Sequence, residues 1–368
     1  MKSALKTKPA VFSVGNEYQI LVPVSCETVM WVKVGDKCYY DDSNGILRSS
    51  KMIHRMTVPA EKLDSEKKYT ICYRRVIKRK AYFTETHPIE EIEFDFRPVP
   101  SENPVAYHIA DSHNMVAQPV AAAERFRRQA GKIDFLILNG DVPEDSSEIF
   151  HFDNIYEIVS QITNGEIPVI FSRGNHDTRG IYAEDIADYT PCRNGNSFFS
   201  FRIGNIWGLV VDTGEDKPDS HEEYGNMICC HNFRERETEY IESIIKSSAS
   251  EYNAQGIEKK IIVSHVPFTM KNKPPFDIEE ERYAYWAKII KENIKPDVMI
   301  CGHTHRFSVN EIGSERDHFG QPCTMVIGSQ PDKDTAYFAG CGFVFKENSI
   351  DVIFNDSEKI IDQQTIKL

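Results

Sequence analysis

The chain has 368 residues, and its 43 Lys and Arg against 56 Asp and Glu give a formal net charge of -13. This length suits about two domains, and an apolar share of 40% is ordinary for a globular fold. The acidic balance argues against a general nucleic-acid binder, which needs a basic face, but leaves room for a phosphate-bearing substrate where bound cations invert the local field.

Nine cysteines include no C-x-x-C pair, and Cys229 and Cys230 are adjacent, too close for an ordinary bridge. Free thiols and a cytoplasmic location are the expectation. The opening run MKSALKTKPAVF has no apolar h-region, and no stretch is apolar for long enough to cross a membrane.

From the start to about residue 98, apolar residues alternate with polar ones. Tyr18, Ile20, Val22 and Val24 form one such set, and Met52, His54, Met56 and Val58 another. Tyr69, Ile71 and Tyr73 follow, then Ile92, Phe94 and Phe96. A period of two predicts half-buried antiparallel strands, and Asn44-Gly45 marks a hairpin turn. Together these predict a small β-sandwich over residues 1–98. The run Arg97-Pro98-Val99-Pro100 then suggests a boundary before a second domain at 99–368.

Beyond Pro104 the pattern changes. Short continuous apolar runs, VAYHIA, DFLILN, IPVIFSR, KKIIVS and DVMIC, end in polar clusters. Such runs predict strands buried on both faces. Helical stretches separate several of them: VAAAERFRRQA, FDNIYEIVSQI, RERETEYIESIIKS and YAYWAKIIKENI. The alternation predicts an α/β domain, closed by a C-terminal hairpin at FVFKENSIDVIF.

Open α/β folds carry their sites at the carboxyl ends of buried strands. Five such ends here read Asp111-Ser112-His113, Gly140-Asp141, Gly174-Asn175-His176-Asp177, His265, and Gly302-His303-Thr304-His305. Carboxylate, imidazole and amide donors suit Mn, Fe or Zn. Two ions about 4 Å apart can clamp an in-line displacement at phosphorus and bring a bound water to a pKa of about 7. The glycines before Asp141, Asn175 and His303 are expected to let the chain turn sharply as it leaves its strand.

This ordered set, D-x-H, G-D, G-N-H-D, H and G-H-x-H across residues 111 to 305, resembles the calcineurin-like metallophosphoesterases. The resemblance implies a four-layer α-β-β-α sandwich and two divalent metal ions, Mn or Fe ahead of Zn. It implies that Asp111, His113 and His305 hold the first ion and Asn175, His265 and His303 the second, with Asp141 between them. In similar enzymes the histidine at His176 steadies the transition state or protonates the leaving oxygen. A carboxylate commonly orients it, and Glu144 or Asp145 could do so here. Arg173 and Arg179 could contact phosphate oxygens, Arg179 within an N-H-D-x-R run similar to that of bacterial cyclic-nucleotide phosphodiesterases; plain surface roles are equally open.

The two-domain order also resembles purple acid phosphatases, which carry a fibronectin-like β-sandwich ahead of the catalytic domain. Their tyrosine ligand lies three residues after the bridging aspartate, where this chain has Glu144, and their first motif has glycine where this chain has His113. The resemblance implies hydrolysis of a small phosphorylated substrate, a phosphodiester or phosphomonoester. A metal-bound, non-catalytic interaction scaffold is the alternative. Loop-like segments at 218–232 and 271–276 either shape substrate choice or decorate the surface.

Overall fold

The computed structural model describes residues 3–368. Two sheets stack face to face. The larger runs, strand by strand, Ile360–Lys367, Ser349–Asn355, Tyr337–Lys346, Val105–Ile109, Phe135–Asn139, Val169–Ser172, Ala10–Val14, Glu17–Pro23 and Ile53–Pro59. The smaller runs Phe199–Ile203, Ile206–Val211, Lys259–Ser264, Val298–Cys301, Met325–Ile327 and Ser308–Asn310. Helices Ala117–Ala130 and Asp153–Thr163 cover the outer face of the first sheet, and Cys230–Lys246 and Glu280–Ile289 that of the second.

Side-chain alternation builds these four layers. Phe135 and Ile137 point between the sheets, against Val210, Ile261, Val263 and Ile300. Their neighbours Leu136 and Leu138 point outward against Ala122, Phe126, Ile155 and Val159 of the covering helices. On the second sheet Leu209 and Ile262 likewise meet Ile241 and Trp286. A strand flanked by two cores needs apolar residues on both faces, which is why these strands read as unbroken apolar runs. All four predicted helical stretches are helices.

The N-terminal region is built of strands apart from one short helix, Ala60–Glu66. Thr28–Val34, Lys37–Tyr40, Lys68–Lys78 and Glu90–Asp95 form a sheet. Its inner residues Met30, Val32, Ile71 and Tyr73 share a core with Tyr18, Ile20, Val22, Met56 and Val58. Asn44 and Gly45 both take positive φ, 52° and 83°, as a tight hairpin turn requires. Hydrogen bonding continues across the proline run at 97–100. Strand Ala10–Val14 pairs in parallel with Val169–Ser172, with Phe12 opposite Val169, so the larger sheet draws strands from both sides of that run. The pairing closes an edge that would otherwise present unsatisfied backbone groups. The C-terminal hairpin forms and is followed by a further strand, Ile360–Lys367. None of the described helices is long and apolar enough to cross a membrane.

Candidate metal centre

Strands Val105–Ile109, Phe135–Asn139 and Val169–Ser172 of one sheet, and Lys259–Ser264 and Val298–Cys301 of the other, are each followed directly by one of the five polar motifs. The loops are tied to one another. Asp111 N donates to Gly140 O at 3.0 Å, His113 N to Asp141 O at 3.0 Å, and Gly302 N to His265 O at 2.9 Å. Asp111, His113, Asp141, His303 and His305 all have left-handed backbones, with φ between 45° and 69°. Such conformations cost about 1–3 kcal/mol each and gather where function over-determines the backbone.

The glycines act partly as expected. Gly140 has φ +79°. Gly174 and Gly302 are needed for space instead: a Cβ at Gly174 would fall on the Asp141 carboxylate, and one at Gly302 would come within 2.8 Å of Asp111 Oδ2.

The donors converge in groups. Atoms of Asp111, His113 and His305 lie within 4.8 Å of one another, as do those of Asp141, His265 and His303; Asp141 is also grouped with His113 and His176. His113 Nε2 faces His305 Nε2 at 3.2 Å, and His305 Nε2 lies 3.4 Å from Asp111 Oδ1. His265 Nδ1 donates to the Asn139 carbonyl at 2.7 Å, which leaves Nε2 directed 3.1 Å from Asp141 Oδ2 and 3.7 Å from Asp111 Oδ1. A backbone carbonyl fixing one ring nitrogen so that the other faces carboxylates is the usual support of a metal-binding imidazole. The Asn175 amide lies within 3.2 Å of Asp141 Oδ2, His303 Nδ1 and Arg179 Nη2, and to ligate a cation it would present its carbonyl oxygen on the side shared by Asp141 and His303.

The electrostatics favour positive charge here. Burial alone would push the carboxyls of Asp111 and Asp141 up, but His265 and its neighbouring histidines hold both below the usual range. Burial works against a charge on His265, yet Asp141 and Asp111 raise it to about 10. His113 goes the other way, driven by burial to about 4 despite the same carboxylates. Burial, then the charge of Asp141, lift Asp177 to about 7; its Oδ2 accepts from Gly174 N at 2.7 Å and Asp141 N at 3.2 Å, which orders the turn. Buried carboxylates, paired imidazoles and an amide make a donor set that fits divalent cations.

The residues beside the donors differ in their engagement. His176 Nδ1 donates to the backbone carbonyl of Glu144 at 2.8 Å, and the Glu144 carboxylate lies 3.1 Å from His113 Nδ1 and pairs with Lys333. Asp145 is turned away from His176: its carboxylate accepts from Ser147 N at 2.8 Å and lies 3.2 Å from His151 Nδ1. Arg179 comes to the centre, with Nη1 3.1 Å from His176 Nε2. Arg173 does not. Its guanidinium lies against the Phe233 ring, 5.0 Å from the centroid, with Nε 2.7 Å from Asp212. Burial there calls for a neutralising partner rather than an open phosphate contact.

Three further residues shape the site. Glu215, fully buried, accepts from Thr178 Oγ1 and Arg179 Nε at 2.9 Å and from Tyr224 Oη at 2.9 Å. Asp216 Oδ2 lies 3.6 Å from His303 Nε2. Both follow strand Ile206–Val211, whose run IWGLVVDTGED ends in acid, the signal that could have pointed to them. Asn139, the polar end of DFLILN, sends its amide to the carbonyls of Ser264 and Ile300 at 3.3 and 3.2 Å, linking the two sheets directly beneath the donors.

The protein is an α-β-β-α sandwich with carboxylate and imidazole groups gathered at its strand ends. The calcineurin-like phosphoesterase family matches residues 105–307, more than half of the chain, and the chain belongs to that family. It is accordingly a metal-dependent phosphoesterase. A purple acid phosphatase from yellow lupin (Lupinus luteus) seeds has a similar structure, with TM-score 0.61 and 13% identity over 98% of this chain and 74% of that one. At that identity the likeness is one of fold, and it takes in the N-terminal β region. A dimetal phosphatase from Danio rerio aligns with TM-score 0.48 and 11% identity over 74% of this chain and 99% of that one. No curated protein matches the chain in sequence.

Proposed function

We propose that the centre takes two divalent cations, Mn or Fe ahead of Zn, and hydrolyses a small phosphodiester or phosphomonoester. The observation that carries this reading is the position of Asp141, whose carboxylate belongs to one donor group with His265 and His303 and to another with His113 and His176, while His113 is itself grouped with Asp111 and His305. Asp111, His113 and His305 would hold one ion and Asn175, His265 and His303 the other, with Asp141 between. When bound, such ions supply Lewis acidity at the phosphoryl oxygens and bring an attacking water to a pKa of about 7.

This chain's own groups do the rest. The Glu144 carbonyl fixes His176 through Nδ1, leaving Nε2 to face Arg179 and the incoming ester. Once released by Arg179 and protonated at Nε2 from solvent, His176 can hand that proton to the leaving oxygen. Arg179, pinned by the buried Glu215, offers its remaining N–H groups to phosphate oxygens. Arg173 and Asp145 are left out of this chemistry because their partners lie elsewhere.

The test combines metal analysis with hydrolysis of p-nitrophenyl phosphate and bis(p-nitrophenyl) phosphate. Chelation should abolish turnover and Mn should restore it, with two equivalents bound per chain. Full turnover by protein shown to be metal-free, or with a single bound equivalent, would overturn the two-metal reading.

A further inference from the structure

The loop after the His176 turn and the loop at 223–228 frame a cleft of about 620 Å³ beside the metal centre. The wall it shares with the centre is Arg179, whose Nη1 lies 3.1 Å from His176 Nε2. The volume falls within the range of small-molecule sites, about 300–1,000 Å³, and is far larger than one phosphate needs.

The lining is mixed in a particular way. Ile181, 71% exposed, comes from one loop, and Met227, 85% exposed, from the other; Ile228 and Tyr224 stand beside them. Single exposed apolar residues are ordinary. Two on the loops that frame one cleft, which reaches His176 through Arg179, form an uncovered apolar surface beside the centre. The charged residues are acidic in balance. The cleft is lined by Arg179 against Glu184, Glu215 and Glu223; Arg179 pairs with Glu215, Glu223 with Lys217 outside the lining, and Glu184 has no ion-pair partner among the described residues. A second anionic group would therefore meet net repulsion there.

We infer that this cleft receives one ester substituent of the substrate, and that the substituent is uncharged and apolar, alkyl or aryl, rather than a further phosphate. The inference rests on the phosphoester reading above and narrows it to a substrate class. Loop 223–228, part of the insertion at 218–232, is then a specificity loop. Ile181 and Met227 select the substituent by removing it from water, while Arg179 holds the phosphoryl group next to His176.

The experiment uses the full-length, Mn-loaded protein and two series of substrates. One is p-nitrophenyl alkyl phosphodiesters from methyl to hexyl; the other is the matching alkyl phosphate monoesters, read by phosphate release. In at least one series kcat/KM should rise about tenfold or more from methyl to hexyl, the low end of hydrophobic discrimination. The double variant Ile181→Asp, Met227→Asp should bring that hexyl-to-methyl ratio to within about twofold of unity. Both positions are exposed, so circular dichroism and metal content should match the parent. Turnover without chain-length dependence, or a ratio that survives the double variant, overturns the inference while leaving the phosphoesterase reading intact. No turnover of any member in either series fails the underlying reading instead. A concentration-dependent dimer that the double variant dissociates, with the ratio unchanged, would assign the patch to self-association and also overturn it.

Discussion

Arg179 Nη1 donates to His176 Nε2 at 3.1 Å, across the single 3₁₀ turn His176–Thr178. A guanidinium can only donate, so Nε2 is the acceptor in this arrangement and Nδ1, bonded to the Glu144 carbonyl, carries the proton. An arriving phosphate can draw Arg179 onto its own oxygens and free Nε2 to take a proton from solvent and pass it to the leaving oxygen. His176→Ala should therefore lower kcat about a hundredfold or more, with metal content near the parent value. Loss of a metal ion in that variant, read by elemental analysis, would mean that His176 is a ligand.

The two arginines should separate cleanly. Arg179→Ala should lower kcat/KM by about tenfold or more, and Arg179→Lys should recover only part of it, because an ammonium cannot bind oxygens with a planar fork. Arg173→Ala should act on stability instead. Its partner Asp212 is 1% exposed, and stranding one member of a buried pair costs about 3–5 kcal/mol. Thermal unfolding beside steady-state kinetics checks both; an Arg173→Ala protein with the parent's melting temperature and raised KM would reverse the assignment.

Asp141→Ala should lose metal and activity together, since two of the three donor groups include Asp141. Asp145→Ala should keep turnover within about twofold, because its carboxylate caps Ser147 and meets His151 rather than His176. Metal-to-protein ratios and turnover measured on the same samples decide it. A large loss of turnover in Asp145→Ala would restore that carboxylate to the catalytic group.

Iron-loaded, oxidised protein should lack an intense visible tyrosinate-to-iron band. The position three residues after Asp141 is Glu144, whose carboxylate lies 3.1 Å from His113 Nδ1. Tyr224, the tyrosine at the adjoining cleft, commits its hydroxyl to Glu215 at 2.9 Å. An imidazole favours the ferric state less than a phenolate does, so the ion at Asp111 and His113 should be divalent in the working enzyme. A strong visible band on oxidation would show that a tyrosine reaches the metal.

A chain beginning at Val99 should not unfold as a cooperative unit. It would open the edge of Val169–Ser172, and it would lose the bonds of Gly15 with Ser200 and Arg202, at 2.7 and 3.0 Å, and of Tyr69 with Gly165, at 2.7 Å. Phe12 and Val11, now fully buried, would leave their contacts exposed. Calorimetry and gel filtration provide the check. A monodisperse sample melting within a few degrees of the parent would establish that residues 99–368 stand alone.

The strand periods and the five polar motifs can be read from the chain alone. Whether a strand is buried on one face or two is written into its own period, so DFLILN and KKIIVS could be placed without knowing their neighbours. Carboxylate, imidazole and amide groups at strand ends are legible as metal chemistry from residue type, while the assignment of Asp111, His113, Asp141, Asn175, His265, His303 and His305 as ligands is what the family resemblance implies. Tertiary structure alone decided which charges are spoken for. Arg173 and Arg179 look alike in the chain, yet one is matched to Asp212 and the other to Glu215, 36 residues away. Glu144 orients His176 through its backbone carbonyl, which no side-chain pattern records. The sheet also runs past the proline run because Phe12 finds Val169. Each of these depends on which groups burial leaves needing a partner, and on which partner the folded chain brings within hydrogen-bonding distance.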